Sequence, residues 1–212
     1  MHVEVVDDVA AAFVTVVGRE APATIVLSGG GTAERCYATL AADGAVDWPS
    51  TEVLIGDERW VPVDHPDSNE GMARRVLLDH VPAAAVYSMR GAGRTIDDAA
   101  DAYDALVAAR DELGLVHLGL GPDGHTASLF PGSPALHVED RMVVATGDDL
   151  HPHLRLTLTF PAIAHAALAV FTVEGEEKRD AFARVRAGED VPAARVRAPR
   201  VLWLVDRAAT AD

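Results

Sequence analysis

The chain contains 212 residues, of which 49% are hydrophobic and 24% are charged. This composition excludes a disordered chain, a collagen and a coiled coil, and the length fits one domain of ordinary size. The net charge of −15, from 18 Lys and Arg against 33 Asp and Glu, argues against general binding to nucleic acids or anionic membranes. Any anion site must then be a local pocket of Arg, Lys and backbone N–H groups.

The sequence carries no sign of export, of a membrane span or of a disulfide framework. No apolar run reaches the roughly 18 residues that a membrane span needs, and the N-terminal sequence lacks the regions of a secretory signal. The single cysteine, Cys36, excludes a disulfide framework and a structural zinc cluster. We therefore expect a cytoplasmic protein.

Apolar, β-branched segments alternate with helical patterns along the whole chain. The predicted strands span residues 3–6, 24–28, 52–56, 85–88, 115–119, 142–145, 156–159, 168–173 and 201–205. The predicted helices span residues 7–19, 33–42, 69–80, 95–112 and 176–187. Several strands are continuous apolar runs, which indicates burial on both faces of a parallel sheet. The pattern predicts one Rossmann-like α/β domain over residues 1–212, with a mostly parallel sheet and helices on both faces.

Ligands of such folds bind at the carboxyl ends of the strands, so the residues after each strand are candidates for chemistry. The first candidate is a glycine loop, in which Ser28 is followed by Gly29, Gly30 and Gly31, with Thr32 at the expected helix N-cap. Glycines let backbone N–H groups close on a ligand, and a helix N-terminus favours an anion. The loop lacks the spacing of a dinucleotide or P-loop motif. It predicts a site for a monophosphate or another small anion, with a plain strand-to-helix turn as the alternative.

Three charged residues, Asp57, Glu58 and Arg59, follow the next apolar strand. Charges at that point are costly unless they face a cleft. The planar fork of Arg59 matches a substrate carboxylate or phosphate, and Asp57 could hold a hydroxyl group or orient a base. A surface salt-bridge cluster, or an acidic residue that caps the next segment, is the equally weighted alternative. We interpret His65, in the proline-containing loop that follows, as a solvated residue rather than a ligand.

The sequence Gly-Pro-Asp-Gly-His follows the strand predicted at residues 115–119. It places His125 at the strand end beside Asp123, and histidine is the side chain best suited to general-base catalysis near neutral pH. A nearby carboxylate can fix the histidine tautomer. Metal binding by Asp123 and His125 is the alternative, although this pair lacks the third and fourth ligands of a zinc site, and nothing brings His151 and His153 near it.

The remaining candidates are isolated side chains. Arg155 opens an apolar strand, and Lys178 lies in the first turn of the helix predicted at residues 176–187. The helix dipole disfavours a cation there unless an anion is bound, while an ordinary surface cation is the usual alternative. Ser128 lacks the motif of a nucleophile elbow, so we do not assign it as a nucleophile. His117 lies within a predicted strand and is predicted to be a core histidine.

Five segments in this order resemble the glucosamine-6-phosphate isomerase/6-phosphogluconolactonase family, and within it the lactonases. They are SGG-x-T at residues 28–32, DER-x-VP…D-SN at 57–69, G-x-G-x-DGH-x-ASLFPG at 119–132, RLTLT at 155–159 and G-x-x-K at 175–178. The likeness covers nearly the whole chain, from about residue 27 to about residue 206. Glucosamine-6-phosphate deaminases continue the Asp-Gly-His turn differently, so the Ser-Leu-Phe-Pro that follows here favours the lactonases.

The resemblance implies a single-domain fold of the deaminase and ribose-5-phosphate isomerase type. It also implies hydrolysis of 6-phospho-D-glucono-1,5-lactone to 6-phosphogluconate in the oxidative pentose phosphate pathway, without a metal or organic cofactor. The implied partner is a small phosphorylated sugar lactone, and we expect a monomer or a weak homodimer.

By matching positions, the resemblance also implies roles for the candidate residues. Those assigned to the reaction are His125 as general base, with Asp123, Asp57 and Arg59 beside it. Those assigned to the substrate and its phosphate are Ser28, Gly29, Gly30, Gly31, Thr32, Arg155 and Lys178. The glycine loop departs from the family at Gly31, usually serine, and at Ala33, usually proline. It loses a hydroxyl and a rigid helix start, but an anion site built from the backbone survives that change.

Two other hypotheses remain open from the sequence. An aldose-ketose isomerase or deaminase would need a carboxylate to move a proton between two carbons, and Asp57 is the candidate. A non-catalytic sugar-phosphate sensor would keep Arg155 and Lys178 but would have no use for a base at residue 125. An open-chain substrate discriminates the first, and His125 beside Asp123 argues against the second.

Overall fold

A computed structural model describes residues 1–91, 93–147 and 152–210, and its elements follow the predicted alternation of strands and helices. The strands are β1 His2–Val6, β2 Thr24–Leu27, β3 Glu52–Ile55, β4 Asp57–Arg59, β5 Ala85–Tyr87, β6 Leu113–Gly119, β7 Val143–Thr146, β8 Arg155–Leu158, β9 Ala166–Val173 and β10 Val201–Asp206. The α-helices are α1 Val9–Glu20, α2 Gly31–Asp43, α3 Asn69–Ala73, α4 Ile96–Ala108, α5 Phe160–Ala164 and α6 Arg179–Arg186. Short 3-10 turns lie at Trp48–Ser50, Pro134–His137, Glu176–Lys178 and Pro192–Arg195, and a π-helical segment lies at Arg74–Leu78.

Seven of the described strands form one parallel sheet in the order β1-β10-β9-β6-β2-β3-β5. The mostly parallel sheet predicted from the apolar runs is therefore confirmed. The strands β2, β3 and β5 run outward in sequence order on one side, whereas β6 lies on the other side of β2. The strand order thus reverses between β2 and β6, and open α/β sheets bind ligands at the strand ends beside such a switch point.

Three short strands form a second, antiparallel sheet in the order β4-β8-β7. The sequence did not predict this sheet, because β4 consists of three charged residues and carries no hydrophobic pattern. The strands predicted at 142–145 and 156–159 therefore lie outside the parallel sheet. Gly56 joins the two sheets, since its N–H donates to the carbonyl of Leu27 at 2.7 Å and its carbonyl accepts from the N–H of Leu158 at 2.8 Å.

The helices α1 and α2 differ from their predicted bounds by at most two residues, α5 was not predicted, and the three other helices differ more. The helix predicted at 69–80 is α3 followed by the π-helical segment. The helix predicted at 176–187 starts as a 3-10 turn over Glu176–Lys178, with Gly175 at φ 98° as its N-cap. The helix predicted at 95–112 ends at Ala108, where the Arg110 side chain donates to the carbonyl of Leu106 at 2.5 Å. No helix of the described residues is long and apolar enough to cross a membrane.

The core contains two groups that could titrate or react in another setting. His117, predicted as a core histidine, is 1% exposed, which confirms that prediction. Its Nδ1 lies 2.8 Å from the Tyr37 hydroxyl and its Nε2 lies 2.8 Å from the Thr172 hydroxyl. Burial lowers the pKa of His117 to about 3. Cys36 in α2 is fully buried, and burial raises the pKa of its thiol to about 12.

We expect His117 to make the free energy of unfolding depend on pH between about 6.5 and 3. The unfolded chain protonates this imidazole near pH 6.5, whereas the folded protein resists protonation down to about 3. The unfolded state binds the extra proton throughout that window, so stability falls by about 1.4 kcal/mol for each pH unit lost. His117→Gln removes the titration, so urea unfolding should show a stability gap between wild type and variant that shrinks as the pH falls. A gap that stays constant would contradict the buried neutral histidine.

Candidate active site

The loop after β2 presents an uncapped helix N-terminus. Gly30 is the N-cap of α2, with φ at 96°, and no side chain caps this helix. A positive φ of this size is rare outside glycine. The expectation that Thr32 is the N-cap is wrong, since Thr32 lies within the first turn of α2. The first N–H groups of the helix have no helical acceptor, and together with the helix dipole they attract an anion.

Asn69, the first residue of α3, packs directly on the glycine loop. A Cβ at residue 29 would lie 2.0 Å from Asn69 Oδ1, so any residue other than glycine requires the Asn69 side chain to move. The Asn69 side-chain amide also donates to the carbonyl of Asp57 at 2.8 Å. The glycine loop, α3 and β4 are thus joined by one side chain. Sequence reasoning did not assign Asn69 a role, and its only signal was its place in the Ser-Asn pair of the family motif.

Glu58 is 1% exposed, and its carboxylate accepts four hydrogen bonds. Oε1 accepts from the backbone N–H groups of Arg59 and Asn69, both at 2.8 Å. Oε2 accepts from the N–H of Glu70 at 2.8 Å and from the hydroxyl of Ser68 at 2.9 Å. Burial raises the pKa of Glu58, and these donors oppose the rise. The carboxylate holds α3 and the loop before it against β4, beside Arg59.

Asp57 and Arg155 meet at Ser128. The Ser128 hydroxyl donates to Asp57 Oδ2 at 2.8 Å, and Arg155 Nη1 donates to Ser128 Oγ at 3.5 Å. Asp57 is 5% exposed, so it does not belong to a surface salt-bridge cluster. Ser128 is fully buried, and its hydroxyl group links Asp57 to Arg155.

Arg59 and Arg155 are paired residues of the neighbouring strands β4 and β8. Burial lowers the pKa of Arg155, and the charge of Arg59 lowers it further. The Nε atom of each arginine is buried and has no hydrogen-bond partner among the described residues. Two neighbouring guanidinium groups with unpaired N–H donors lack hydrogen-bond acceptors. A bound anion would supply such acceptors.

His125 and Asp123 form a pair after the end of β6. Asp123 Oδ1 accepts from His125 Nδ1 at 2.6 Å and from the His125 backbone N–H at 3.1 Å. Burial raises the pKa of Asp123, but these hydrogen bonds and the neighbouring imidazole outweigh it, so the net pKa is lowered. An ionised Asp123 keeps the imidazole proton on Nδ1, which leaves Nε2 as the basic nitrogen. A Cβ at Gly121 would lie 2.0 Å from Nδ1, so glycine makes room for the ring.

These segments surround a cleft of about 190 Å³, which lies at the switch point between β2 and β6. Every residue assigned from the sequence except Asp123 lines it, namely Ser28, Gly29, Gly30, Gly31, Thr32, Asp57, Arg59, His125, Arg155 and Lys178. Asp123 is hydrogen-bonded to His125, which lines the cleft. Lys178 ends a 3-10 turn and precedes α6, rather than lying in the first turn of that helix. Three positively charged side chains, those of Arg59, Arg155 and Lys178, therefore line one cleft of a protein whose net charge is −15.

The described residues supply no third ligand for a metal at Asp123 and His125. Within the described ranges, the group of His, Asp, Glu or Cys side chains close enough to hold a metal is His65, Asp67 and His153. His151 lies outside the described residues. The His153 side chain is hydrogen-bonded to the Asp67 carboxylate and does not line the cleft.

The fold and the cleft define an α/β protein whose cleft, lined by three cations, lies at the switch point of the parallel sheet. A family model gives a narrower class, because the model described as glucosamine-6-phosphate isomerases/6-phosphogluconolactonase matches residues 1–203. The chain belongs to this family.

Individual relatives agree with this assignment. The 6-phosphogluconolactonase of Synechocystis sp. is 42% identical over 201 residues, covering 88% of this chain and 82% of the relative. The 6-phosphogluconolactonase of Mycobacterium tuberculosis is 41% identical over 208 residues, covering 89% and 84%. The crystal structure of 6-phosphogluconolactonase from Thermotoga maritima matches with a TM-score of 0.85 and 26% identity, covering 97% and 99%. A monomeric glucosamine-6-phosphate deaminase has the same TM-score at 19% identity, covering 99% and 98%, and supports the fold alone.

We expect Gly29→Ala to destabilise the protein and Gly31→Ala to leave it nearly unchanged. The new Cβ at residue 29 would lie 2.0 Å from Asn69, so Asn69 must move, at a cost of about 1–3 kcal/mol. Nothing lies within 4 Å of a Cβ at residue 31, which makes this variant the matched control. Urea unfolding measures both. Equal free energies of unfolding for the two variants would contradict the packing of Asn69 on the loop.

Proposed function

We propose that this chain hydrolyses 6-phospho-D-glucono-1,5-lactone to 6-phosphogluconate. The observation that carries the proposal is the His125–Asp123 pair beside a cleft that also holds Arg59, Arg155 and Lys178. A base and several cations at one small cleft suit a substrate with a hydrolysable carbonyl at one end and a phosphate at the other. The similarity to two 6-phosphogluconolactonases, over more than four fifths of both chains in each case, and the shared fold support the same reaction.

His125 acts as the general base in this proposal. Its Nε2 takes a proton from a water molecule, and the hydroxide attacks the lactone carbonyl carbon to give a tetrahedral intermediate. The bond between that carbon and the ring oxygen then breaks, and the protonated imidazole returns the proton to the leaving oxygen. Asp123 stabilises the imidazolium through Nδ1. A positioned base of this kind typically contributes about 10²–10⁴-fold.

The negative charge of the intermediate needs hydrogen-bond donors that are already in place. Arg59 lines the cleft, and its side chain is held by a hydrogen bond from Nη1 to the carbonyl of Asp67 at 2.7 Å. It therefore approaches the reacting carbonyl in a fixed orientation. Asp57 lies beside it and accepts from a substrate hydroxyl with the oxygen that Ser128 does not occupy.

The phosphate lies against the N-terminus of α2, with Arg155 and Lys178 as its cationic partners. The uncapped N–H groups after Gly30 provide donors, and the buried guanidinium of Arg155 provides charge. Holding the phosphate fixes the distance between the lactone carbonyl and His125, which is a proximity effect. No covalent nucleophile is required, and the hydroxyl of Ser128 is already committed to Asp57.

We expect His125→Ala to lower kcat by about 10²-fold or more with little change in KM. The measurement is a coupled assay, in which glucose-6-phosphate dehydrogenase generates the lactone in situ and 6-phosphogluconate dehydrogenase reports the product, with the spontaneous rate subtracted. His137→Ala is the matched control, because His137 is exposed and lies outside the cleft.

The outcomes of this assay separate the hypotheses. Activity that survives in His125→Ala would remove this residue from the mechanism but keep the reaction. No acceleration by the wild type would reject the lactonase, and turnover of an open-chain aminosugar phosphate would then favour a deaminase that uses Asp57. A protein that binds sugar phosphates without turning them over would be a sensor.

We expect Lys178→Ala to raise KM for the phosphorylated lactone by about tenfold while kcat changes little, since a charged hydrogen bond contributes about 1.5–3 kcal/mol and 1.4 kcal/mol is tenfold. Arg186→Ala is the control, because Arg186 is exposed on α6 and does not line the cleft. If both variants keep the wild-type KM, the phosphate lies elsewhere.

A further inference from the structure

A second group of polar side chains lies beside the cleft but does not line it. His65 and Asp67 belong to the loop between β4 and α3, and His153 precedes β8. One nitrogen or oxygen atom from each of the three side chains lies within 4.8 Å of the other two. The proposed lactone hydrolysis uses none of these side chains. We propose that His65, Asp67 and His153 bind a divalent transition-metal ion, with Zn²⁺ as the ion that best fits the donors.

The distances within the group match a metal site. His153 Nε2 lies 2.9 Å from Asp67 Oδ2, and His65 Nδ1 lies 3.8 Å from the same oxygen. Ligand atoms of a tetrahedral zinc ion lie about 2.1 Å from the metal, and therefore roughly 3.4 Å from one another. The observed distances lie on either side of that value, so small side-chain adjustments create the site.

The donor types point to zinc or a similar ion. Imidazole nitrogens suit zinc, copper, iron and nickel, whereas calcium and magnesium prefer oxygen ligands. Two histidines and one carboxylate are a zinc ligand set that leaves a fourth position for water. The Asp67 backbone N–H donates to His65 Nδ1 at 3.1 Å, so this nitrogen is unprotonated, and a metal bound through it would replace that hydrogen bond. A histidine binds a metal through an unprotonated nitrogen.

The backbone holds the ligands in place before any ion binds. The His65 N–H donates to the carbonyl of Pro62, and the Ser68 N–H donates to the carbonyl of His65, both at 3.0 Å. The N–H of Trp60 donates to the carbonyl of Leu154 at 2.7 Å, which fixes the segment carrying His153 beside the loop. A site whose ligands are already oriented loses little conformational entropy when the ion binds.

The group is open to solvent and touches the cleft through one residue. The side chains of His65, Asp67 and His153 are 38%, 54% and 24% exposed, so an ion and its water can enter. The carbonyl of Asp67 accepts the hydrogen bond from Arg59. A metal here would tie the loop to the segment before β8, beside the arginine that lines the cleft.

Calorimetric titration of the metal-free full-length chain with ZnCl₂ tests the proposal directly. We expect one ion per chain with a dissociation constant in the micromolar range. His65→Gln, His153→Gln and Asp67→Asn should each weaken binding by at least about tenfold. His137→Gln is the matched control, because it removes an exposed histidine outside the group and should leave binding unchanged.

A second variant separates this site from the His125–Asp123 pair. Zinc binding that persists in His125→Gln and disappears in the double variant His65→Gln/His153→Gln supports the proposal. Zinc binding that disappears in His125→Gln, or that is the same in wild type and double variant, overturns it and leaves His65, Asp67 and His153 as a surface ion pair. Titration with Co²⁺ gives an independent readout, since only a tetrahedral site produces intense visible absorption. The result does not depend on whether the chain hydrolyses the lactone.

Discussion

The buried carboxylate of Glu58 is the interaction on which the site depends. A buried charge is strongly unfavourable unless it is hydrogen-bonded, and Glu58 is satisfied only when four donors between residues 59 and 70 converge on it. That requirement selects one arrangement of the loop between β4 and α3. Asn69 then meets both the glycine loop and Asp57, and Arg59 takes its place in the cleft. Glu58, which does not line the cleft, thus arranges residues from three segments.

The cleft contains several positively charged side chains, whereas the protein as a whole is negatively charged. The chain carries a net charge of −15, yet Arg59, Arg155 and Lys178 all line the cleft. The pairing of β4 with β8 places the two arginines side by side, where the charge of Arg59 helps to lower the pKa of Arg155. The net negative charge of the protein disfavours the binding of extended polyanions, whereas the three cations make the cleft locally favourable for a small anion.

The features that could be predicted from the sequence are those that depend on hydrophobic patterns and on the ends of strands. The features that depend on backbone geometry could not be predicted. The parallel sheet was predicted because apolar runs report burial directly, and most of the cleft lining was predicted because ligands gather where strands end. β4 was missed because three charged residues carry no hydrophobic pattern. The N-cap of α2 was assigned wrongly, because a glycine cap works through φ and leaves no side-chain signal. The Arg59–Arg155 pairing could not be predicted either, since it depends on a second sheet formed by segments almost a hundred residues apart.

The reactivity of the single cysteine, Cys36, reports the opening of the helix α2. Cys36 lies in α2, the helix whose N-terminus faces the cleft, and its buried thiol stays protonated with a pKa raised to about 12. Because the thiolate is the reactive form of cysteine, the native protein is protected from alkylating reagents and peroxide. Labelling with such a reagent therefore proceeds only as fast as α2 opens, and a ligand held at the start of that helix would slow the labelling in proportion to its occupancy.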